Sequence, residues 1–184
     1  MAISDLVQLQ LGWLNAWIPS FALVLIQFLY MLLYKEGGKR AVDTSWHTAK
    51  DKRYATLSYI IQLVVLLISL FVPLQIGTPL FMAGSLLFAF ALVGFMAAFH
   101  AYASTPKGEI VIRGVYRLSR NPMYFFYELG ALAICIAAAS LLLLLATILL
   151  IVVTHGVILG EEQYCMTTYG EDYAWYKARS PTNF

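Results

Sequence analysis

M-Y-F-F-Y-E-L-G-A-L-A-I-C-I-A-A-A-S-L-L-L-L-L-A-T-I-L-L-I-V-V-T-H-G-V-I-L, Met123 to Leu159, is the stretch whose reading decides the fold. As one helix it would reach about 55 Å, against a bilayer hydrocarbon core of about 30 Å. It therefore has to fold back on itself. The run Ala137-Ala138-Ala139-Ser140 is the expected bend, because small residues let two helices meet closely around a tight turn. The pair 123–139 and 140–160 is then a helical hairpin, its two arms on the short side for a full crossing.

Three more apolar blocks precede it. The first runs from about Leu11 to Tyr34, the second from Thr56 to Ile76, and the third from Leu80 to Tyr102. Each supplies roughly the 20 apolar residues a span needs. The first lacks the basic flank of a signal peptide, since only Asp5 precedes it in charge. Pro73, Gly77 and Pro79 mark an uncharged turn between the second and third blocks. Continuous apolar runs argue against a β-barrel, whose strands alternate in polarity.

The cations agree with this division. All twelve Lys and Arg residues lie between or after the apolar blocks: Lys35, Lys39, Arg40, Lys50, Lys52 and Arg53; Lys107, Arg113, Arg117 and Arg120; Lys177 and Arg179. Cationic loops stay cytoplasmic. The expectation is an all-α integral membrane protein of the inner, cytoplasmic membrane with about five transmembrane helices. Its N-terminus lies outside, and a cytoplasmic C-terminal segment caps the bundle. Residues 1–184 read as a single membrane domain, with a three-helix part over 1–104 and a hairpin and tail over 105–184. With 61% hydrophobic and 12% charged residues, a soluble domain is excluded. No basic patch interleaved with aromatics points to nucleic acid, and the positive loops suit anionic lipid. Cys135 and Cys165 read as free thiols, and no metal site is expected.

Three segments meet at the cationic face. Lys35 to Arg53 reads as a solvated loop, and His47 has no evident partner for a ligand role. Thr105 to Tyr127 is richer. Gly108 and Gly114 permit positive φ, and Ile110 to Ile112 is extended. Ser119 is a candidate helix opener, Pro122 fits a first helical turn, and Asn121 before it is biased toward extended backbone. A helix start there presents N–H groups and a positive dipole end to an anion. Tyr116, Tyr124 and Tyr127 offer ring faces to an aromatic group or a sulfonium. In Gly160 to Phe184, Glu161 and Glu162 follow the last apolar run. Their side chains diverge by about 100°, so at most one is expected in a shared pocket. The helix is expected to continue to about Thr168 and stop at Gly170. Glu128, near the membrane edge, is expected to pair with Arg120 or Arg117.

The run R-G-V-Y-R-L-S-R-N-P-M-Y, Arg113 to Tyr124, resembles the G-x-Y-x-x-x-R-H-P-x-Y signature of the isoprenylcysteine carboxyl methyltransferases, whose wider group includes the phospholipid N-methyltransferases. The tail E-E…Y-G-E-D-Y…Y-K-A-R-S-P-T is similar to that family's end. The resemblance covers about residues 105 to 182. It implies S-adenosylmethionine as cofactor, lined by Gly108, Glu109, Ile110, Val111, Tyr116, Asn121, Pro122, Met123 and Tyr124. Glu161 would hold its amino group, and Glu128 or Glu162 would accept a proton if the substrate is an amine. The substrate would be a lipophilic or amphiphilic small molecule carrying a carboxylate, amine or thiol. Three positions depart from the family pattern. Asn121 replaces the signature histidine, Gly108 replaces an earlier one, and Val157 stands where a substrate-gripping arginine is usual. Prenylcysteine is therefore not the expected substrate. Two rivals remain: an NADPH-dependent sterol-type reductase, which usually shows Arg-Asp in place of Glu161-Glu162, and a non-enzymatic lipid- or partner-binding helical protein. The oligomeric state is left open.

Overall fold

The computed structural model describes residues 9–37 and 43–180. Among these the regular structure is entirely helical: α1 (Trp17–Leu33), α2 (Ala49–Ser69), α3 (Pro79–Ala103), a short 3-10 turn (Gly114–Arg117), α4 (Pro122–Ala138) and α5 (Leu141–Arg179). α2, α3 and α5 are long and apolar enough to cross a membrane, while α1 and α4 are apolar but shorter. Many outward side chains are large and apolar. Leu33, Leu86 and Val152 are 75%, 73% and 64% exposed, a surface that suits lipid rather than water.

The hairpin bends where the small residues are. Ala139 adopts the left-handed conformation at φ 47°, and Ser140 N closes the end of α4 on the Cys135 carbonyl at 3.3 Å. Ser140 then caps α5 by accepting from Leu143 N. Cys135 Sγ and Thr147 Oγ1, 3.4 Å apart, tie the two arms together just past the bend.

Small residues also set the helix pairs. A Cβ added to Gly84 of α3 would lie 2.6 Å from Ala137 N and 2.7 Å from Ala133 O of α4. The two backbones therefore approach as closely as helices in membranes can. α2 packs on α5, where Gly156 receives the ring of Tyr54. α1 lies across α2, α3 and α4. The core between these helices holds Leu23, Ile61, Val65, Phe95, Phe99, Ile134, Leu143 and Leu150.

Three boundaries differ from those expected. α1 opens at Trp17, because residues 10–16 bond instead to the α2–α3 connection. Asn15 Nδ2 donates to the Gln10 and Leu70 carbonyls, and Ala16 N to Val72 O. α2 opens at Ala49, ahead of its apolar block, because Thr48 and Asp51 form a reciprocal capping box. Lys50, Lys52 and Arg53 thus ride on a helix and not in a loop. In α5, Gly170 does interrupt the helix, with φ 53° and ψ −124°, a region open only to glycine. A further helical segment then runs to Arg179.

Candidate functional site

The segment between α3 and α4 is a compact crossing. Thr105 Oγ1 donates to Ala101 O at the end of α3. Residues 110–112 carry no regular secondary structure, Arg113 is extended, and Gly114 at φ 59° opens the 3-10 turn that buries Tyr116. Asn121 is the N-terminal residue of α4, but its side chain caps nothing. Its backbone N–H goes to Ser119 Oγ at 3.1 Å, and its amide is directed across to Glu162.

The chain beyond Gly170 folds back over this crossing. Tyr176 Oη donates to the Tyr116 carbonyl at 2.6 Å and to the Ser119 carbonyl at 3.3 Å. Arg120 donates from Nε to Glu162 Oε1 at 2.9 Å, and from Nη1 to the carbonyls of Ser180 at 2.6 Å and Lys177 at 3.2 Å. Lys177 Nζ reaches Glu162 Oε2 at 3.0 Å. Glu162 lies beyond the apolar run of α5, and burial raises its carboxyl. Hydrogen bonds from Arg120, Lys177 and Asn121 outweigh that and hold it below the usual carboxylate range. Burial pushes the Tyr176 phenol up to about 12, so it stays a donor.

Two adjoining cavities lie under this cover. The smaller, about 90 Å³, is lined by Ile110, Val111, Tyr116, Asn121, Met123, Tyr124, Glu161 and Glu162 of the expected set. Tyr102, Arg120, Cys165, Tyr169, Tyr173 and Tyr176 complete it. The larger, about 300 Å³, shares Tyr102, Met123, Tyr124, Glu161, Cys165 and Tyr169 with it and runs inward between α2, α3, α4 and α5. Its size is at the lower end of small-molecule sites. Its inner walls are Phe95, Phe99, Leu150 and Val157, with Ser58, Gln62, Tyr127 and Thr154 as polar points. Gln62 Nε2 donates to Tyr127 Oη at 2.6 Å.

Glu161 and Glu162 both line the smaller cavity, where only one was expected. The two acids meet different partners there. Glu161 accepts from Tyr124 Oη of α4 at 2.5 Å, and Glu162 faces Arg120 and Asn121 before it. Gly108, Glu109 and Pro122 line neither cavity. Gly108 takes φ 90° with open space around it. Glu109 N closes a turn on Pro106 O, and Pro122 is buried in the first turn of α4. Glu128 also lines neither cavity. It is 3% exposed, and both its carboxylate oxygens lack a partner among the described residues. The expected pairing with Arg120 or Arg117 is corrected. Arg120 precedes α4 and turns to the tail, while Glu128 sits nearly two turns, about 9 Å, into the helix.

Several lining residues escaped the sequence. Tyr169 lies just before the expected stop at Gly170, and Tyr173 and Tyr176, three apart on the helical segment that follows, lie beyond it. The turn 43–48 is not a plain solvated loop. Trp46 stacks on Tyr164 of α5, and Asp43, Thr44, Trp46 and His47 line the larger cavity.

The described residues form an all-helical fold, three of its helices long and apolar enough to cross a membrane, with a cavity between an Asn-Pro helix start and a paired-acid helix exit. A family model for phospholipid methyltransferase matches residues 72–172, more than half of the chain, and the chain belongs to that family. No curated protein and no solved structure matches it.

Proposed function

We propose that the protein transfers a methyl group from S-adenosylmethionine to a lipophilic or amphiphilic small molecule, an amine, thiol or carboxylate, at the cytoplasmic face of the membrane. One observation carries this reading. The Arg113–Tyr124 segment and the Glu161–Glu162 pair close on one small cavity, largely apolar but edged by both carboxylates, Arg120 and Asn121, that continues into a larger one with both polar and apolar walls. A donor with a charged end and an acceptor with a greasy end need such a pair of spaces. When bound, the cofactor supplies an activated methyl on a positively charged sulfur.

The chain's part is to bind, align and exclude water. Glu161 would hold the donor's ammonium, and Tyr116, Tyr124, Ile110, Val111 and Met123 would wall its rings. Asn121, still a hydrogen-bonding residue, joins Arg120 in fastening Glu162. That ties the chain beyond Gly170 across the mouth and keeps water out. The acceptor reaches the inner cavity from the bilayer, with membrane lipid as its surroundings. In this arrangement α1 to α5 all enter the membrane, with the bend at Ala139 and the α2–α3 turn outside and both acids inside.

The test is calorimetric titration of the detergent-solubilised protein with S-adenosylmethionine. Wild type binds, and Glu161→Ala binds about 10- to 150-fold more weakly, the loss of one charged hydrogen bond of about 1.5–3 kcal/mol. Absence of binding by the intact protein removes the proposal.

A further inference from the structure

The turn before α2 is built by its own sequence. Asp43 Oδ1 accepts from Ser45 N at 2.9 Å, and Thr48 and Asp51 then cap α2 reciprocally. Trp46 of this turn stacks on Tyr164 of α5, with ring centroids 4.5 Å apart and planes inclined by 22°. Asp43 and Trp46 both line the larger cavity.

The formal charges on that lining are of one sign. Asp43 and Glu161 contribute carboxyl groups, and among the described residues no Lys or Arg lines it. Hydrogen bonds from the Ser45 side chain and backbone hold the Asp43 carboxyl below the usual carboxylate range. Glu161 accepts from Tyr124 Oη, but a carboxylate has about four acceptor sites and one bond does not fill it. Burial pushes the Glu161 carboxyl up to about 7, a cost that an adjoining cation relieves. Arg120 lines the smaller cavity only and is bonded to Glu162, Lys177 and Ser180. Lys107 acts on Asp43 through space yet lines neither cavity. His47 is on the lining, but its Nδ1 is shielded from contact.

Rings complete the wall. Trp46, Tyr59, Tyr124, Tyr127, Tyr164 and Tyr169 line this cavity, and aromatic faces attract cations, most strongly where water is excluded. A carboxylate or phosphate in the same space would meet two acids and no described cation from Lys or Arg. A buried charge without a partner is costly.

We propose that the larger cavity is a site for an organic ammonium, so that the methyl acceptor is an amphiphilic amine carrying neither carboxylate nor phosphate, an inference that rests on the activity proposed above. The acceptor is thereby set apart from a phospholipid headgroup, whose phosphate this wall leaves unanswered. The ammonium R–NH3⁺ is the bound form, and the neutral amine in equilibrium with it reacts after one proton has passed to water. Its lone pair forms the bond to the methyl carbon of the sulfonium donor as the carbon–sulfur bond breaks toward sulfur. The product R–NH2CH3⁺ keeps the positive charge.

Two measurements test it on the full-length protein in nonionic detergent. In the first, decyltrimethylammonium, decanoate and decylphosphocholine are titrated by calorimetry without cofactor. The quaternary ammonium, which has no lone pair to methylate, binds at least about tenfold more tightly than the other two. Val157→Arg, which sets a cation on the same lining, weakens it at least about tenfold. Asp43→Asn keeps the oxygen that accepts from Ser45 N and removes only the charge, and it weakens binding about two- to fivefold. In the second, decylamine, decanethiol and decanoate are offered with labelled S-adenosylmethionine, and transfer goes to the amine. Decanoate or decylphosphocholine binding as tightly as the ammonium overturns the inference. So do both variants at wild-type affinity, no binding of any probe, or transfer to the thiol or the acid in place of the amine. Failure of the wild type to bind S-adenosylmethionine strikes the proposed activity itself. The preference among the three probes is measured without cofactor and is read separately.

Discussion

Replacing Arg120 with methionine removes three donated hydrogen bonds and leaves the aliphatic bulk. Arg120 and Glu162 side chains are 7% and 9% exposed, so this ion pair is shielded, whereas Lys177 is 44% exposed. Breaking a buried pair from one side costs about 3–5 kcal/mol. Glu162 keeps Lys177 and Asn121, so the expected loss is at the lower end, about 3 kcal/mol. It falls on the docking of residues 171–180 over the cavity and not on the apolar bundle. At 1.4 kcal/mol per tenfold, the undocked state becomes roughly 100-fold more populated. Trypsin cutting at Lys177 and Arg179 and hydrogen exchange of the 171–180 amides both follow that population. Lys177→Met, which removes the exposed partner, costs about 1 kcal/mol or less. Placing Arg120→Met in a Glu162→Gln background costs much less than in the wild type, because the pair is already gone. Less than a threefold rise in cutting rate for Arg120→Met, or equal effects from the arginine and the lysine, would refute the reasoning.

Other expectations follow from the same geometry. Gly84→Leu drives a side chain into the Ala137 backbone and lowers detergent stability by about 3 kcal/mol or more, read as melting temperature; an unchanged value contradicts the α3–α4 contact. Gly170→Ala places a Cβ at φ 53°, ψ −124° and costs about 1–3 kcal/mol, raising exchange after residue 170 and sparing residues 141–160. Tyr176→Phe removes the hydrogen bonds its hydroxyl donates to the Tyr116 and Ser119 carbonyls, costs about 0.5–1.5 kcal/mol, and weakens cofactor binding without altering helix content by circular dichroism. The Glu162 carboxyl is held below its ordinary value of 4.5 in the folded protein. Its contribution is therefore complete above that value and lost as pH falls below it through the lower folded value. Docking of 171–180 stays flat from pH 8 to 5 and then weakens, and Glu162→Gln removes this acid dependence; a change between pH 8 and 6 that disappears in Glu162→Gln would contradict the sign.

What could be read from the chain alone was what depends on length and local chemistry. The bend at Ala139 was visible because 37 apolar residues cannot be one crossing and the small residues sit mid-run. The Asn121-Pro122 helix start and the Glu161-Glu162 exit were visible because both lie where apolar runs begin or end. The first block misled, since the carbonyls that hold Asn15 come from residues 55 positions away or from its own turn. Glu128 misled because distance along the chain says nothing of which way Arg120 turns. The helix after Gly170 was missed because a glycine stop is a local signal, and the segment beyond it is held by tertiary bonds from Arg120 and Tyr176. For His47 the local signals were all present, Asp43 with Ser45 and Thr48 with Asp51. Its place at the edge of the larger cavity goes with Trp46 stacking on Tyr164, 118 residues further on.

The fastening of Arg120 to Lys177 and Ser180 also bears on biosynthesis. Those two carbonyls leave the ribosome after every apolar helix has been made. Vectorial synthesis therefore inserts the bundle first, with its polar crossing bare, and completes the enclosure only afterwards. A released chain ending before Lys177 would carry every apolar helix yet lack the two carbonyls that fasten Arg120.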